Sequence, residues 1–394
     1  MGGSGGGLAD SGGGPGVGGG VEQTLEHGYL PSTALVEDAR AAYDDWKAIH
    51  LEDCSGGVYR VRWENAKLDS TVSEGIGYGM LLTVVWDDRA AFDGLLAYAK
   101  LMRGEGALMN WLRYGCDAHR DTKYSMYPDN AAADADLDVA MALLMAECRW
   151  GASNYGDEAI TVINATKEHM FIEDNGKLVL QPGDSSWFDT MGGGCVNYSY
   201  FAPAYYREFA KKVPGDKEFW ERAATDSYAL LAADSDGTTG LVRNWGSAGG
   251  GDATADCHNA YIRSASYGDD AARTPWRIAT DYLWYGTPEA KSWNDKVTTW
   301  VASVGIKNIV QWYRLDGMPD TEAPTYDDHT AINIAPFAVG AMTRDAQTVS
   351  DFSAEVLAIP TSEGSHDAEY FPRMLKALSL ATLTGKFTTC GGSE

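Results

Sequence analysis

The sequence lacks the positive charge with which proteins bind nucleic acids or anionic membranes. Its 394 residues include 31 Lys and Arg against 56 Asp and Glu, a net charge of −25. Such a surface repels phosphate groups and favours neutral or cationic partners. No apolar run approaches the roughly 20 residues that a membrane-spanning helix needs. These absences predict a protein that binds neither nucleic acid nor membrane.

Cysteine is sparse and is never found at C-x-x-C spacing, which argues against a zinc site and against a thioredoxin-like redox site. The six cysteines are scattered, at positions 54, 116, 148, 195, 257 and 390. We expect Cys148, inside a predicted helix, to be a buried thiol. One to three disulfides would suit an exported protein, and the spacing does not determine their pairing. Outside the glycine-rich residues 1–20, the G-x-S-x-G motif of a nucleophile elbow is also missing, as is H-E-x-x-H throughout, and we expect neither a metal nor a cofactor.

Glycine is concentrated at the N-terminus, where residues 1–20 have the composition of a disordered linker or of a segment left from expression. We expect residues 21–394 to form one domain, in an exported protein whose secretion signal has been removed. Strand-like alternation is confined to short pieces such as 57–63 and 177–180. The spacing of apolar residues predicts about a dozen helices, at 32–50, 73–85, 89–102, 134–150, 158–169, 200–211, 217–233, 274–283, 288–304, 330–342, 349–358 and 369–382.

These helices predict an all-α protein, and two arrangements of paired helices are open to it. No regular repeat of 34 or 42 residues is visible, which argues against an open solenoid. The compact alternative closes six helical hairpins into a double-layered ring, an (α/α)6 barrel. Several of the connecting loops are long and rich in Gly, Asp and aromatic residues, and long loops in a compact domain usually carry function.

Three aspartates stand at the start of the predicted helix 134–150, namely Asp134, Asp136 and Asp138. A helix N-terminus favours acidic groups but needs only one of them, and three repel one another. A calcium loop is excluded, because Val139 replaces its sharp-turn glycine and Met145 replaces its bidentate acid. The pattern therefore predicts an inward-facing helix that delivers a carboxylate to a site.

A second acidic segment combines Glu74 with three glycines at alternate positions, 75, 77 and 79. Each glycine inside a helix costs about 0.5–1 kcal/mol relative to alanine. We therefore expect a ligand or another helix to approach the backbone there. Ser73 is the expected N-cap, which leaves an ordinary first-turn acid as the alternative interpretation of Glu74.

The third acidic segment places Asp269, Asp270 and Arg273 just before Pro275. Proline suits the first turn of a helix, so the three charged residues are expected in the preceding loop. A surface salt-bridge cluster is the alternative interpretation.

Hydrolysis of a glycosidic bond fits these three segments, because it needs one protonated and one ionised carboxyl group. A third carboxylate nearby can raise the pKa of the acid by repulsion. The chain also holds 13 Trp and 21 Tyr, more aromatic residues than a core usually needs. Exposed Trp and Tyr can stack on flat ligands such as sugar rings.

Five short motifs then follow one another in the order typical of one enzyme family. The central one, A-[ST]-D-[AG]-D-x-x-[IM]-A, is present at 132–140 with Ala133 and Val139 as mild departures. S-E-G-x-x-Y-G-M is found at 73–80, N-x-S-Y-F at 197–201, D-A-x-R-x-P-W-R at 270–277 and T-G-x-F at 384–387. On these motifs the chain resembles glycoside hydrolase family 8 over about residues 30–388.

The resemblance implies an (α/α)6 barrel and an inverting mechanism. It implies that Glu74 is the general acid, that Asp270 is the general base holding the attacking water, and that Asp134 contacts the distorted sugar in the central subsite. Asp269 lies directly beside the proposed base, which leaves open which of the two holds the water.

The substrate-binding residues that the resemblance implies are aromatic, with one arginine. Trp111 resembles the family's stacking tryptophan, and Trp187 is a second candidate. Tyr200 is expected to help position the water and Arg273 to orient Asp270.

These observations lead us to expect a secreted, monomeric, inverting endo-β-1,4-glycanase acting on a polysaccharide, with an endoglucanase (cellulase) as the first expectation. Xylanase and chitosanase activities occur in the same family and are the alternatives. A catalytically inactive carbohydrate-binding scaffold is the rival from another class, and the presence of all three carboxylates argues against it.

Overall fold

Twelve α-helices lie in the part of the chain that the computed structural model describes, which is residue 1 and residues 25–63, 69–103, 106–120, 129–184, 195–252, 263–361 and 369–389. Each predicted helix corresponds to one of them. The largest differences are at N-terminal ends, at positions 36 rather than 32 and 153 rather than 158. The helices are α1 Val36–His50, α2 Ser73–Val85, α3 Arg89–Met102, α4 Ala133–Trp150, α5 Ser153–Met170, α6 Pro203–Lys212, α7 Lys217–Asp234, α8 Thr274–Tyr285, α9 Pro288–Val304, α10 Ala331–Ala341, α11 Ala346–Ala358 and α12 Tyr370–Leu383.

The helices form two concentric rings. The even-numbered helices contact one another in the order α2, α4, α6, α8, α10, α12, and α12 returns to α2 and closes the inner ring. Each odd-numbered helix packs outside one inner helix, with α3 on α2, α5 on α4, α7 on α6, α9 on α8, α11 on α10 and α1 on α12. The expected (α/α)6 barrel is therefore confirmed.

The apolar pattern of each helix explains the ring in which it lies. In α2, 12 of 13 residues are buried, and in α12, 13 of 14. The outer helix α1 buries only 4 of its 15 residues, all on one face. These inner helices are thus surrounded by protein on nearly all sides, whereas the amphipathic outer helix keeps one face in water.

The described strands are short and pair in four antiparallel hairpins or bridges between loops. The predicted strand 57–63 contains β2, and 177–180 coincides with β6, whereas pieces of two to four residues elsewhere carry too little alternation to be predicted. The pairs are β1 Leu51–Asp53 with β2 Tyr59–Val61, β3 Ser70–Val72 with β4 Leu112–Tyr114, β5 Phe171–Asp174 with β6 Lys177–Leu180, and β7 Cys195–Val196 with β8 Gly246–Ser247.

The described disulfide cysteines lie outside the helices. Cys54 and Cys116 are bonded, with their Cα atoms 5.3 Å apart, and Cys195 is also in a disulfide. The expected disulfides are therefore present. The prediction of a buried thiol at Cys148 is wrong, because α4 leaves the core after Ala146 and Cys148 is exposed on its last turn.

None of the described helices combines the length and hydropathy that crossing a membrane requires.

The glycines of α2 allow a close contact between two inner helices. A Cβ atom on Gly77 would lie 2.8 Å from the Cβ of Asp138 and 3.0 Å from the carbonyl oxygen of Ala135, both in α4. The expected close approach is thus confirmed, and another helix makes it. The expected N-cap at Ser73 is wrong: Val72 takes that position, and Ser73 is the first residue of α2.

Gly77→Ala is expected to lower the free energy of unfolding by about 1–3 kcal/mol, since the added methyl group forces the α4 backbone outward. The gain in helix propensity, about 1 kcal/mol, does not offset this. Urea unfolding followed by circular dichroism measures the difference. Gly79→Ala is the matched control, because its methyl group meets side chains and no backbone: the ends of Leu95 and Val61 at 3.1 Å and the edge of the Trp46 ring at 3.4 Å. A Gly77→Ala protein as stable as the wild type would contradict this account of the contact.

Candidate active site

Three carboxylates that are distant in sequence converge at one end of the inner ring. Glu74 lies in the first turn of α2 and Asp134 in the first turn of α4. Asp270 precedes the single 3-10 turn Ala271–Arg273, which leads directly into α8. The start of one inner helix therefore positions each of the three acids.

Arg273 binds all three carboxylates with one guanidinium group. Its Nη1 donates to Glu74 Oε2 at 2.5 Å and to Asp134 Oδ2 at 3.0 Å. Its Nη2 donates to Asp270 Oδ1 at 2.6 Å. The arginine side chain is only 2% exposed, so its charge is little screened by water and holds the three acids together.

Glu74 has the environment of an acid that keeps its proton. Its side chain is 19% exposed, and Oε1 accepts a hydrogen bond of 3.0 Å from the Tyr370 hydroxyl. Burial, with a contribution from the carboxylates of Asp134 and Asp270, raises the pKa of Glu74 to about 7, although the charge of Arg273 and the Tyr370 hydrogen bond lower it. Glu74 is therefore half protonated near neutral pH, where an exposed glutamate would be ionised.

Asp270 is surrounded by donors instead. Its Oδ1 accepts from Arg273 and, at 3.2 Å, from Asn197 Nδ2, and its Oδ2 accepts from Trp245 Nε1 at 2.9 Å. The side chain remains 21% exposed. Asp270 thus accepts hydrogen bonds from three side chains and Glu74 from two, and the two carboxyl groups differ in their partners although one arginine contacts both.

The loop that carries Asp270 is held from below by Asn244. This buried side chain accepts hydrogen bonds from the backbone N–H groups of Gly268 at 3.2 Å and Ala271 at 2.8 Å. Asp269 lies on the same loop but points elsewhere: it is exposed, and its carboxylate accepts from Gln311 Nε2. The two adjacent aspartates therefore have different partners, and Asp270 is the one that contacts Arg273.

Asp134 is buried beneath this cluster, and a second ion pair lies one helical turn deeper. Burial and the carboxylate of Asp138 raise the pKa of Asp134 to about 6, against the charges of Arg273 and Arg277. Asp138 and Arg277 form a bidentate pair, with Nη2 2.7 Å from Oδ2 and Nη1 bonded to Oδ1. Helices α4 and α8 thus face each other through two layers of acid and arginine.

The predicted substrate-binding residues lie near the cluster where the structure describes them. The Tyr200 ring, at the end of a short 3-10 turn, lies 5.1 Å from the guanidinium carbon of Arg273. Trp111 is half-buried, and its carbonyl oxygen accepts the N–H of Ser73 at 2.8 Å, which places its backbone beside Glu74. Trp187 lies outside the described residues.

The sequence did not predict the residues that bond to Glu74 and Asp270 from distant positions in the chain. Tyr370 is 296 positions from Glu74, and Trp245 stands beside the glycine-rich stretch 246–251 with no motif around it. Asn197 belonged to a recognised motif, which was the one available signal, but no role followed from it.

The chain is similar to a set of polysaccharide-degrading enzymes. The sequence model of the family described as glycosyl hydrolases family 8 matches residues 30–385. Endoglucanase A of Acetivibrio thermocellus is 36% identical over 355 residues, which cover 88% of this chain and 69% of the relative. Endoglucanase 2 of Ruminiclostridium josui is 33% identical over 356 residues, covering 88% and 71%. Beta-glucanase of Niallia circulans is 27% identical over 385 residues, covering 93% and 88%.

Solved structures share the fold. The apo structure of beta-1,3-1,4-glucanase from Paenibacillus sp. X4 superposes with a TM-score of 0.79 at 24% identity, covering 93% of this chain and 98% of that one. Rex8A from Paenibacillus barcinonensis complexed with xylose has a TM-score of 0.73 at 20% identity, covering 91% and 97%.

Proposed function

The chain belongs to glycoside hydrolase family 8, and on that premise we propose that this glycosidase is an inverting endo-β-1,4-glucanase. The observation that carries the proposal is the pair Glu74 and Asp270, which share one arginine: the pKa of Glu74 is raised to about 7 by burial, whereas Asp270 accepts hydrogen bonds from three side chains. Two carboxyl groups that differ in this way are what acid- and base-assisted glycoside cleavage needs. The endoglucanase relatives, at 33% and 36% identity, favour glucan as the substrate.

Glu74 is proposed to protonate the oxygen of the leaving sugar. Its raised pKa supports this role, because a general acid works best when its pKa is close to the working pH. The N-terminus of α2 by itself favours the ionised form, and burial together with the charge of Asp134 outweighs it. Asp134 is thus proposed to act on Glu74 directly and to fix Arg273. Its predicted contact with the distorted sugar stays a prediction.

Asp270 is proposed to hold the attacking water and to take its proton. Three donors fix the carboxylate, and its remaining exposure leaves room for a water molecule at the surface. Tyr200, next to Arg273, is proposed to help position that water. An inverting pair must leave space for the water, so we expect the carboxyl groups of Glu74 and Asp270 to be about 6.5–9.5 Å apart.

Initial product stereochemistry and a substrate panel test this proposal. We expect reducing ends to be released from carboxymethylcellulose and barley glucan faster than from xylan or chitosan, with a rapid fall in viscosity because cleavage is internal. Proton NMR of the first products should show the α-anomer before mutarotation. Initial β-anomer would refute inversion, faster cleavage of xylan or chitosan would reassign the substrate, and release of a single small sugar from chain ends would refute endo cleavage.

The rate is expected to fall on the alkaline side of neutrality. Glu74 is active only while protonated, and its pKa is about 7, so kcat/KM should decline about tenfold for each pH unit above 7. Stopped assays from pH 5 to 9 measure this, with circular dichroism at each pH to show that the protein stays folded. A rate that is constant up to pH 9 would exclude Glu74 as the acid.

We further propose that residues 21–394 form one catalytic domain that is monomeric and secreted. The closed inner ring, which joins helices from residue 73 to residue 383, supports the first part. Size-exclusion chromatography with light scattering tests the second, and analysis of culture fractions tests the third.

A further inference from the structure

Asp136 is a buried acid in the first turns of α4 that the proposed reaction does not use. Its neighbours Asp134 and Asp138 are each bonded to an arginine, Arg273 just before α8 and Arg277 within it. Within the described ranges no ion pair joins Asp136 to a lysine or arginine, although its side chain is only 1% exposed. Residues two positions apart in a helix lie on different faces. Asp136 therefore faces away from the arginines and towards the segment that follows α3.

The contact of Asp136 is with the backbone of that segment. Its Oδ1 accepts the N–H of Met109 at 3.1 Å. Its Oδ2 is buried and has no hydrogen-bond partner among the residues that the structure describes. A buried charge with so little compensation would be costly, so this geometry favours an uncharged carboxyl group.

The charges around Asp136 agree with this. Burial, with a smaller contribution from the carboxylates of Asp134 and Asp184, raises the pKa of Asp136 to about 8, although the Met109 hydrogen bond and the charge of Arg103 lower it. Arg103 is itself bonded to Glu158 at 2.5 Å.

The segment 109–111 links this acid to the proposed substrate site. The Asn110 side chain and backbone N–H both bond to the Met102 carbonyl oxygen, at 2.8 and 3.0 Å. Trp111 donates its N–H to Asn130 and accepts from the N–H of Ser73, each at 2.8 Å. The Asp136–Met109 hydrogen bond therefore holds the start of the same short segment whose end, Trp111, is bonded to Asn130 and Ser73.

We propose that Asp136 is a positioning residue, an uncharged hydrogen-bond acceptor that holds segment 109–111 so that Trp111 presents its ring to the sugar chain. The proposal rests on the proposed function and on the prediction from the sequence that Trp111 stacks on the substrate. It assigns a role to an acid that belongs to neither the acid–base pair nor the arginine cluster.

Two substitutions of similar size separate the hydrogen bond from the volume of the side chain. Asp136→Asn is uncharged and keeps an oxygen for the Met109 N–H, so KM on barley glucan at pH 6.5 should stay within about twofold of wild type. Asp136→Leu leaves that N–H buried without an acceptor. It should raise KM about tenfold and change kcat by less than threefold, as expected for a loss of ground-state binding. An Asn variant as impaired as the Leu variant would overturn the proposal.

A double-mutant cycle with Trp111→Ala tests whether the effect passes through the tryptophan. In the Trp111→Ala background, Asp136→Leu should raise KM by less than twofold, because the residue that it positions is gone. If the two changes multiply, or if Asp136→Leu lowers the melting temperature with KM unchanged, Asp136 has a purely structural role and the proposal fails. An unchanged KM for Trp111→Ala alone would instead refute the proposed binding role of Trp111.

The charge state is tested without any substrate. An acid whose pKa is raised in the folded state releases its proton on unfolding above about pH 4, which destabilises the folded state as the pH rises towards 8. Asp136→Asn has no carboxyl group to titrate. Its melting temperature should therefore be higher than that of the wild type at pH 7 and equal to that of the wild type near pH 3. Asp351→Asn, at an exposed position, is the control and should show no such trend. A melting difference that does not change with pH would overturn the uncharged state, even if no glucan were cleaved.

Discussion

Replacing Glu74 by Gln is expected to lower kcat on barley glucan by about 10³-fold, within the range that general acid catalysis supplies. Gln has nearly the same shape and can still accept a hydrogen bond from the Tyr370 hydroxyl, but its amide is not acidic and cannot protonate the leaving oxygen. Oligosaccharide binding, measured by calorimetry on cello-oligosaccharides, should remain within a few fold of wild type. Loss of binding together with kcat would point to a misplaced helix α2 instead.

Asp270→Asn should cause a loss of similar size, because an amide cannot accept the proton of the attacking water. Asp269→Asn is the matched control: the two residues are adjacent, but Asp269 is held by Gln311 and not by Arg273. We expect Asp269→Asn to retain most of its activity. The reverse result would move the base to Asp269.

An activated leaving group separates the two roles. In a dinitrophenyl glycoside of a cello-oligosaccharide, the dinitrophenolate leaving group departs without being protonated. The Glu74→Gln enzyme should therefore recover much of its rate on this substrate. The Asp270→Asn enzyme should not, since water must still be activated. Equal recovery in both variants would contradict the assignment of acid and base.

Replacing Arg273 by Met is the second substitution with a large expected effect. It removes the one cation shared by Glu74, Asp134 and Asp270, and kcat should fall at least 10²-fold because nothing then holds the acid and the base in register. Breaking buried ion pairs also typically costs about 3–5 kcal/mol of stability. Since the charge of Arg273 lowers the pKa of Glu74, the alkaline decline of the residual activity should move to higher pH.

Arg277→Met is the control for this experiment. Arg277 lies one turn further along α8, is equally buried, and bonds to Asp138. The variant should lose comparable stability by urea unfolding, but much less kcat, and its pH profile should keep the wild-type alkaline decline. If both variants lose the same activity, the contribution of Arg273 is stability and not the positioning of the acid and base.

The sequence was sufficient for the helices and for the family. Apolar periodicity marks all twelve helices of the described ranges, because each must bury a face or its whole surface. The three glycines of α2 indicated a close approach, which α4 makes at Gly77. Motifs near Glu74, Asp134 and Asp270 singled out the acids that the structure brings together. These are local properties, set by neighbours within a turn or two of the chain.

Other features were decided by tertiary structure alone. Arg273 binds Glu74 across 199 positions, and Tyr370 reaches the same acid across 296. Trp245 fixes Asp270 without any motif around it. Closure of the ring brings these partners together, and no local sequence pattern predicts which loops will lie opposite each other.

The protonation states also depend on the tertiary structure. A first-turn glutamate would ordinarily be ionised, since the helix dipole favours its charge. Burial and two nearby carboxylates reverse this at Glu74, and both depend on helices that meet only in the folded barrel. The sequence determined which residues are present at the starts of the inner helices, whereas the barrel determined their charge, because desolvation and carboxylate repulsion arise only when those starts converge.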